Sequence, residues 1–564
     1  MFYFTIQKDL SNIFSEINTK YQINLKPHLS YSDFEAYDYQ SSVLFQITKH
    51  PQKEQIIQDL IHSLNLTGHY HKIEATGKGF LSLKINYDTC LEIDGAVKEE
   101  VVLVDYCGVN VAKKMHIGHI RSMFIGDYIS NHYQHLGNTV VRINHLGDWG
   151  NQFGYLLNYI EQNNIDITSN SQLTDCYKKA YQLYCSDENF AKLSNDIAKL
   201  LQNNTEPYLS LWKHCCNISI EEMNNITHDF GLNITSNDIT GESFYAPHLP
   251  FIEELLVKSG VVSIGDDGSI VYKTKKNYPL MLKKSNGAYL YAMYDIAAIY
   301  YRISTYDPDK IIYVVDKRQA DHFKAVFEIC QEMKWSEHCE FKHLGFGFIV
   351  DDNGIPLKTK SGDNLYLDEL LDIGYQELSK QEFYSKLPSG YKELVIKNTL
   401  YGSLKWYDLR SNPISDYQFK WENILMNCAG TAPYIFHAYA RIDSLLFKNK
   451  QNHTVEIDNG FIVETLPNEA IDLYKKSQIL NEQLFLLCDE HACHTLEEKL
   501  LNVVKAFHFF YEKINISSST QKNELISLLN FVQMSIEDSC EILGLKPYPS
   551  QVVWENEYQK KLKI

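Results

Sequence analysis

The chain has 564 residues, 44% hydrophobic and 22% charged, with a formal net charge of -18. That length exceeds what one hydrophobic core supports, so about two to four domains are expected. The acid excess excludes a protein that coats nucleic acid over its whole surface, since phosphate contacts need clustered lysine and arginine; it leaves room for a local basic stripe.

The amino-terminal stretch MFYFTIQKDL has too short an apolar run and no basic start for a secretory signal. No later stretch approaches a membrane span, and the cytoplasm is the expected compartment. Residues 1–98 read as a small separate α/β domain. Asp38-Tyr39-Gln40-Ser41-Ser42 leads into a short amphipathic helix over 43–48, a second helix covers 52–64, and the strands HKIEA and FLSLKI flank Gly77 and Gly79.

Residues 101–154 pack a strand, a turn, a helix and a second strand into one run. VVLVDY is a buried strand, and Ile120, Phe124, Tyr128, Tyr133 and Leu136 fall on one face of a helix that Gly137 ends. TVVRIN is the next strand, so the unit is β-α-β, in which strands run parallel and ligands gather beyond their carboxyl ends. The turn holds His116-Ile117-Gly118-His119. A helix amino terminus attracts phosphate through its unpaired N–H groups and its dipole. Two imidazoles there can donate to phosphate oxygens, and Gly118 lets a flat base approach the backbone.

From 155 to 245 the chain is helical and polar, ending at Gly241-Glu242-Ser243-Phe244-Tyr245; it reads as an insertion between two halves of a nucleotide fold. VVSIGDDGSIVYKT is a hairpin with Asp267-Gly268 at its turn. The second half follows with a helix over 295–304, a buried strand over 310–315 and a helix over 319–333. Alternating strands and helices predict a parallel sheet covered on both faces. Tyr291 and Asp295 stand one helical turn apart if the helix begins at Tyr291, and would then face one pocket. FGFIV and IPLKT read as a hairpin turning at 352–354, followed by Lys358-Thr359-Lys360-Ser361-Gly362 and a helix over 366–378. A lysine-bearing loop there suits phosphate transfer, bringing cations to charge that migrates onto pyrophosphate. Beyond 390 the pattern is mainly helical, over 393–407, 432–447, 468–487, 496–514 and 522–543.

The 12 cysteines are scattered without a CxxC pair, which fits reduced thiols. Cys488, His491, Cys493 and His494 cluster, but their spacing matches no zinc ribbon or finger, and no metal is expected.

Several motifs together carry a family resemblance. His116-Ile117-Gly118-His119 resembles the HIGH signature of class I aminoacyl-tRNA synthetases. Asn110-Val111-Ala112-Lys113, Ile120-Arg121-Ser122 after the turn, and LGDWGNQFG over 146–154 look specifically like arginyl-tRNA synthetases. Lys358-Thr359-Lys360-Ser361-Gly362 resembles that family's degenerate KMSKS loop. Thr431-Ala432-Pro433-Tyr434, Ala440-Arg441 and residues 506–512 look like its anticodon-binding bundle, and the first domain like its additional amino-terminal domain. Two stretches depart: the usual Ser-Ser-Pro-Asn is here Cys107-Gly108-Val109-Asn110, and a tail, SQVVWENEYQKKLKI, runs past the usual end.

The resemblance implies a Rossmann-type α/β catalytic domain over 99–390 with a connective insertion over 155–245 that covers the tRNA acceptor end. It implies a domain over 1–98 that contacts the tRNA elbow, and a helical anticodon-binding domain over 391–564. Carried over residue by residue, ATP falls to His116, Gly118, His119, Lys358 and Lys360, the catalytic positions being both histidines and both lysines. Arginine falls to Asp105, Asn110, Tyr291, Asp295 and Gln319. A guanidinium is a flat fork of N–H donors, so its pocket needs acceptors of defined geometry, which Asp295 and Gln319 supply. Expected partners are L-arginine, ATP with Mg2+ as co-substrate, and arginine tRNA, with no tightly bound cofactor, no membrane and a monomeric chain. Two alternatives stand beside a working synthetase: a paralogue with another acceptor or pathway, which the altered 107–109 turn favours, and a non-catalytic tRNA-binding or regulatory protein.

Overall fold

The computed structural model describes residues 2–32, 36–76, 79–86, 99–276, 278–351, 353–357, 365–450, 465–486 and 493–562. The chain opens on α1 (Phe2–Tyr21), a helix not anticipated above. Its buried Ile6, Leu10, Ile13, Phe14 and Ile17 recur at helical spacing. Strands β1 (Leu29–Tyr31) and β2 (Tyr39–Ser41), helix α2 (Lys53–Asn65) and strands β3 (Tyr70–Thr76) and β4 (Phe80–Ile85) follow. The strands form an antiparallel sheet in the order β1-β2-β4-β3. The helix expected over 43–48 is a 3-10 turn, Ser42–Ile47.

Next come β5 (Val101–Asp105), α3 (Ile120–His135) and β6 (Thr139–Ile143), the predicted β-α-β unit. The insertion is helical as expected: α4 (Asn151–Gln162), α5 (Asn170–Ser186), α6 (Glu188–Gln202), α7 (Tyr208–Phe230) and the single turn α8 (Glu242–Tyr245). Helix α9 (Leu249–Ser259) leads to β7 (Ser263–Ile264), β8 (Ile270–Lys273) and β9 (Pro279–Lys283), so the predicted hairpin gains a third strand. The second half is α10 (Tyr291–Tyr306), β10 (Lys310–Asp316), α11 (Ala320–Glu332) and β11 (Glu340–Phe346). The order β11-β10-β5-β6, parallel throughout, joins both halves. Strands β5 and β10 are central and almost wholly buried, as their continuous apolar runs require. Asp105, the carboxyl end of β5, pairs with Tyr313 of β10 at the point where the sheet changes direction, and ligands of such folds bind there.

The chain continues with β12 (Ile349–Val350), α12 (Leu367–Lys380), α13 (Glu382–Ser385), α14 (Ser389–Leu409), β13 (Tyr417–Gln418), α15 (Trp421–Leu425), α16 (Ala432–Lys450), α17 (Asn468–Leu486), α18 (Cys493–Lys513), α19 (Lys522–Ile542) and α20 (Gln551–Leu562). The hairpin expected after 346 is present: the Asp351 N–H donates to Ile355 O at 2.8 Å and the Leu357 N–H to Ile349 O at 3.1 Å, on either side of an antiparallel bridge from Val350 to Pro356. Strand β12 also pairs in parallel with β13, far along the chain. The tail past the usual family end becomes α20, and Tyr391 Oη donates to the carbonyl of Pro549 just before it, at 2.7 Å.

Two compact units emerge. One comprises Lys98–Arg441, Leu487–Glu498 and Glu537–Ile564; the other comprises Met1–Val97, Ile442–Leu486 and Lys499–Ile536. In the second, Glu482 of α17 is buried among tyrosines of the amino-terminal sheet. It accepts from Tyr31 Oη at 3.2 Å, from Tyr39 Oη, and from the backbone N–H of Tyr3 at 3.3 Å. Lys475 pairs with Asp38 at 2.7 Å in the same unit. Among the described residues no helix is long and apolar enough to cross a membrane.

Candidate active site

The turn after β5 is held open by backbone geometry and two side chains. Cys107 and Gly108 both take left-handed conformations, at φ 78° and 52°. Ser122 Oγ accepts the Cys107 N–H at 3.0 Å and donates to the Val314 carbonyl at 2.7 Å, so α3, β10 and the turn share one hydroxyl. Asn144 Oδ1 accepts the Gly108 N–H at 3.1 Å. Gly108 suits its φ; Cys107 takes it at a steric cost, with its thiol buried. Asn110 lies against Gly147 of the LGDWGNQFG run, where a Cβ would stand 2.1 Å from Asn110 Oδ1, so a side chain at 147 would push the Asn110 amide from its place.

His116 caps the 3-10 turn Ile117–His119 that opens α3. Its Nδ1 accepts the Gly118 N–H at 3.1 Å, while His119 Nδ1 accepts the His116 N–H at 3.0 Å, a reciprocal capping box. With both Nδ1 atoms accepting, each Nε2 carries the proton and is the remaining donor. The rings lie 3.9 Å apart. Burial, with Lys113 adding to it, pushes His116 below the imidazole range; burial followed by the neighbouring His116 pushes His119 down to about 3. The pair is therefore neutral at working pH, a set of hydrogen-bond donors and not a pair of cations. Gly118 is exposed between them, as a ligand lying on the backbone requires.

Lys358 and Lys360 lie outside the described residues. The segment that follows them is tied to the histidine turn: the Ile117 N–H donates to Leu365 O and the Leu367 N–H to Met115 O, both at 3.0 Å. Arg121, part of the same motif, points away. It is buried against Asp408 of α14 at 3.0 Å and donates to the Ser415 carbonyl at 2.8 Å, so it braces α3.

In the second half, α10 begins at Tyr291, so Tyr291 and Asp295 do share a face. Asp295 Oδ2 lies 2.7 Å from His322 Nε2 on the first turns of α11, and the Tyr291 ring packs on His322 at 4.6 Å. Tyr291 remains 59% exposed, with its hydroxyl available. Gln319 is exposed at the amino end of α11, one turn before His322. Asp105 is not a free carboxylate. The fully buried Arg302 holds it at 2.8 Å and also donates to Tyr313 Oη at 2.9 Å.

Three further groups that sequence reasoning passed over complete the site. Asp148 accepts from Ser243 N and Oγ at 2.8 and 2.6 Å, and burial raises its pKa. Burial, then the charges of Asp148 and Asp295, push Glu242 up to about 8. His145, buried beside Arg302 and Asp105, is pushed down by burial. Asp148, Glu242 and Asp295 thus lie close enough for their charges to act on one another, and Asp105, Asp148 and Asp295 all act on His145. Asp148 sits inside LGDWG and Glu242 inside the Gly241–Tyr245 stretch, but only contact shows which residues of those stretches face inward. Among the described residues no group of three His, Cys, Asp or Glu side chains forms a metal cage, and Cys488 and His491 of the sequence cluster lie outside those residues.

A parallel nucleotide-binding sheet with paired histidines at the first helix amino terminus, interrupted by a helical insertion and resumed by a second β-α-β half, defines a class I aminoacyl-tRNA synthetase catalytic domain. Residues 87–421 match the family model described as tRNA synthetases class I (R), catalytic domain, and 435–550 match the DALR anticodon binding domain. The chain is 34% identical to the arginine–tRNA ligase of Wigglesworthia glossinidia brevipalpis, covering 82% of each chain. It is 30% identical to that of Haemophilus influenzae (strain PittEE), over 90% of this chain and 93% of the relative. The crystal structure of Plasmodium falciparum arginyl-tRNA synthetase superposes with a TM-score of 0.80 at 26% identity, covering 97% of this chain and 99% of that one. The chain belongs to the arginyl-tRNA synthetase family.

Proposed function

We infer that the chain is an ATP-dependent arginine–tRNA ligase, and the observation that carries this is the Tyr291–Asp295–His322 corner at the start of α10 and α11. A guanidinium keeps its charge and presents donors in a plane, so a carboxylate beside a phenol hydroxyl is the matching surface. Lysine brings charge without the fork and leaves acceptors unpaired, and citrulline brings amide hydrogens without the charge, so both are rejected.

His116, Gly118 and His119, with Lys358 and Lys360, take ATP, which arrives with Mg2+ as its own counter-ion; Asp105, Asn110, Tyr291, Asp295 and Gln319 take arginine. A carboxylate oxygen of arginine attacks the α-phosphorus, the bond to the bridging oxygen breaks, and pyrophosphate leaves. The Nε2–H donors of the two histidines and the loop lysines meet charge that grows on the phosphate oxygens. The terminal ribose hydroxyl of the tRNA then attacks the activated carbonyl and AMP leaves. Neither step needs a protein nucleophile, and positioning supplies much of the rate.

Residues 1–98 contact the tRNA elbow, the insertion over 155–245 covers the acceptor end, and the helices within 391–564 read the anticodon. The enzyme works as a cytoplasmic monomer, and tRNA is required before arginine is activated. The deciding measurement is exchange of labelled pyrophosphate into ATP with arginine, lysine or citrulline, with and without arginine tRNA. Exchange with arginine alone and only with tRNA is expected; exchange driven by another amino acid would overturn the assignment.

A further inference from the structure

Asp295 accepts one hydrogen bond among the described residues, at Oδ2 from His322 Nε2, 2.7 Å away. The His322 side chain is 9% exposed, and among the described residues its buried Nδ1 has no partner. A ring nitrogen that is sealed from water and has no acceptor cannot carry a proton without burying an unsatisfied donor. The Nε2 proton is the one the carboxylate needs. The geometry therefore selects a single tautomer, neutral, with Nε2–H donating and Nδ1 bare. The ring is also gripped from both sides: Tyr291 packs at 4.6 Å and Phe323 meets it edge-on at 5.2 Å. Beyond it a second imidazole, His343 of β11, stacks on the Phe323 ring at 5.3 Å.

We propose that His322 is a positioning residue for the cationic side chain of the substrate, fixing the rotamer of Asp295 through one hydrogen bond while remaining a neutral donor, so that Asp295 keeps its whole charge for the guanidinium. A lysine in place of His322 would orient the same carboxylate but neutralise it, and the substrate would meet a spent ion pair. Packing Tyr291 onto the same ring makes one side chain set both the carboxylate and the phenol wall. The proposal rests on the assignment of Asp295 to the arginine side chain.

Two variants separate the parts. H322Q keeps a side-chain N–H donor of similar reach; H322F keeps a ring against Tyr291 and cannot donate. In aminoacylation of arginine tRNA, H322F is expected to raise the KM for arginine about tenfold to hundredfold, the loss of a hydrogen bond to a charged group, with the KM for ATP unchanged and kcat within a few-fold. H322Q is expected to recover most of that loss. Imidazole nitrogen resonances of the labelled wild-type protein should show His322 with a bare Nδ1 and a protonated Nε2. Equal KM values for H322F and wild type, equal losses in H322Q and H322F, or a protonated Nδ1 would each overturn the proposal. D295N tests the underlying assignment separately: if it leaves the KM for arginine unchanged, Asp295 does not hold the substrate, whatever His322 does.

Discussion

At the scale of single residues, charge state decides more than identity. Burial pushes His119 to about 3, so it neither gains nor loses a proton across the working range. His119→Asn removes the Nε2 donor while Asn can still accept the His116 N–H. We expect kcat to fall about a hundredfold to a thousandfold, the usual cost of losing a donor aimed at developing charge, with no change in the shape of the pH–rate curve. Glu242 behaves in the opposite way. Burial raises it to about 8, so it is protonated at neutral pH, and a cation bound beside Asp295 would draw that proton off. Arginine binding should therefore release a proton near pH 7, read as a buffer-dependent enthalpy in calorimetry, and binding should tighten as pH rises through about 8. The sign for stability is reversed. With its folded value above its unfolded one, Glu242 costs stability as pH rises from the ordinary carboxylate range to about 8, and Glu242→Gln should flatten that decline. Sequence spacing brought out Tyr291, Asp295 and both histidines, because one helical turn and one capping turn are local geometry. It could not bring out Arg302 as the partner of Asp105, or His322 as the partner of Asp295, since those pairs form between elements.

The elements themselves divide in the same way. Strands β5, β6 and β10 and helices α3, α10 and α11 declare themselves through apolar runs and helical periodicity. Helix α10 starts earlier than its apolar residues suggest because Leu290, in extended conformation, already delivers Tyr291 to the first turn. The pairing of β12 with β13 was hidden, as two-residue strands have no period to read. Helix α3 is anchored at its far side by Arg121 and Asp408, side chains 1% and 0% exposed. Burial raises the pKa of Asp408 against the lowering effect of Arg121. Arg121→Ala strands a buried carboxylate and should cost about 3–5 kcal/mol, whereas a paired apolar replacement such as Arg121→Met with Asp408→Leu should recover much of it. Chemical denaturation of the three variants checks this, with the single change expected to be worst.

For the whole molecule, compactness does not follow the order of the chain. Residues 1–97 carry a core built on Ile6, Phe14, Leu60, Leu81 and Leu83, and the sequence alone suggests a separate domain there. What the sequence could not show is that Ile442–Leu486 and Lys499–Ile536 join the same unit, because Glu482 meets Tyr31 and Tyr39 across hundreds of positions. Removing that carboxylate should cost about 1.5–3 kcal/mol, the worth of a hydrogen bond to a charged group. Glu482→Ala is expected to lower the melting temperature while leaving the KM for arginine unaltered, since the residues proposed to hold arginine belong to the other unit.

The burial of Glu482 also sets a timetable for synthesis. The ribosome releases residues 1–97 early, with the Tyr3, Tyr31 and Tyr39 patch and Asp38 waiting for helices encoded after residue 442. At about 5–20 residues per second that wait is roughly 20–90 s. Throughout it the newborn amino-terminal sheet must stay folded on its own core and resist sticking to its neighbours on the same messenger.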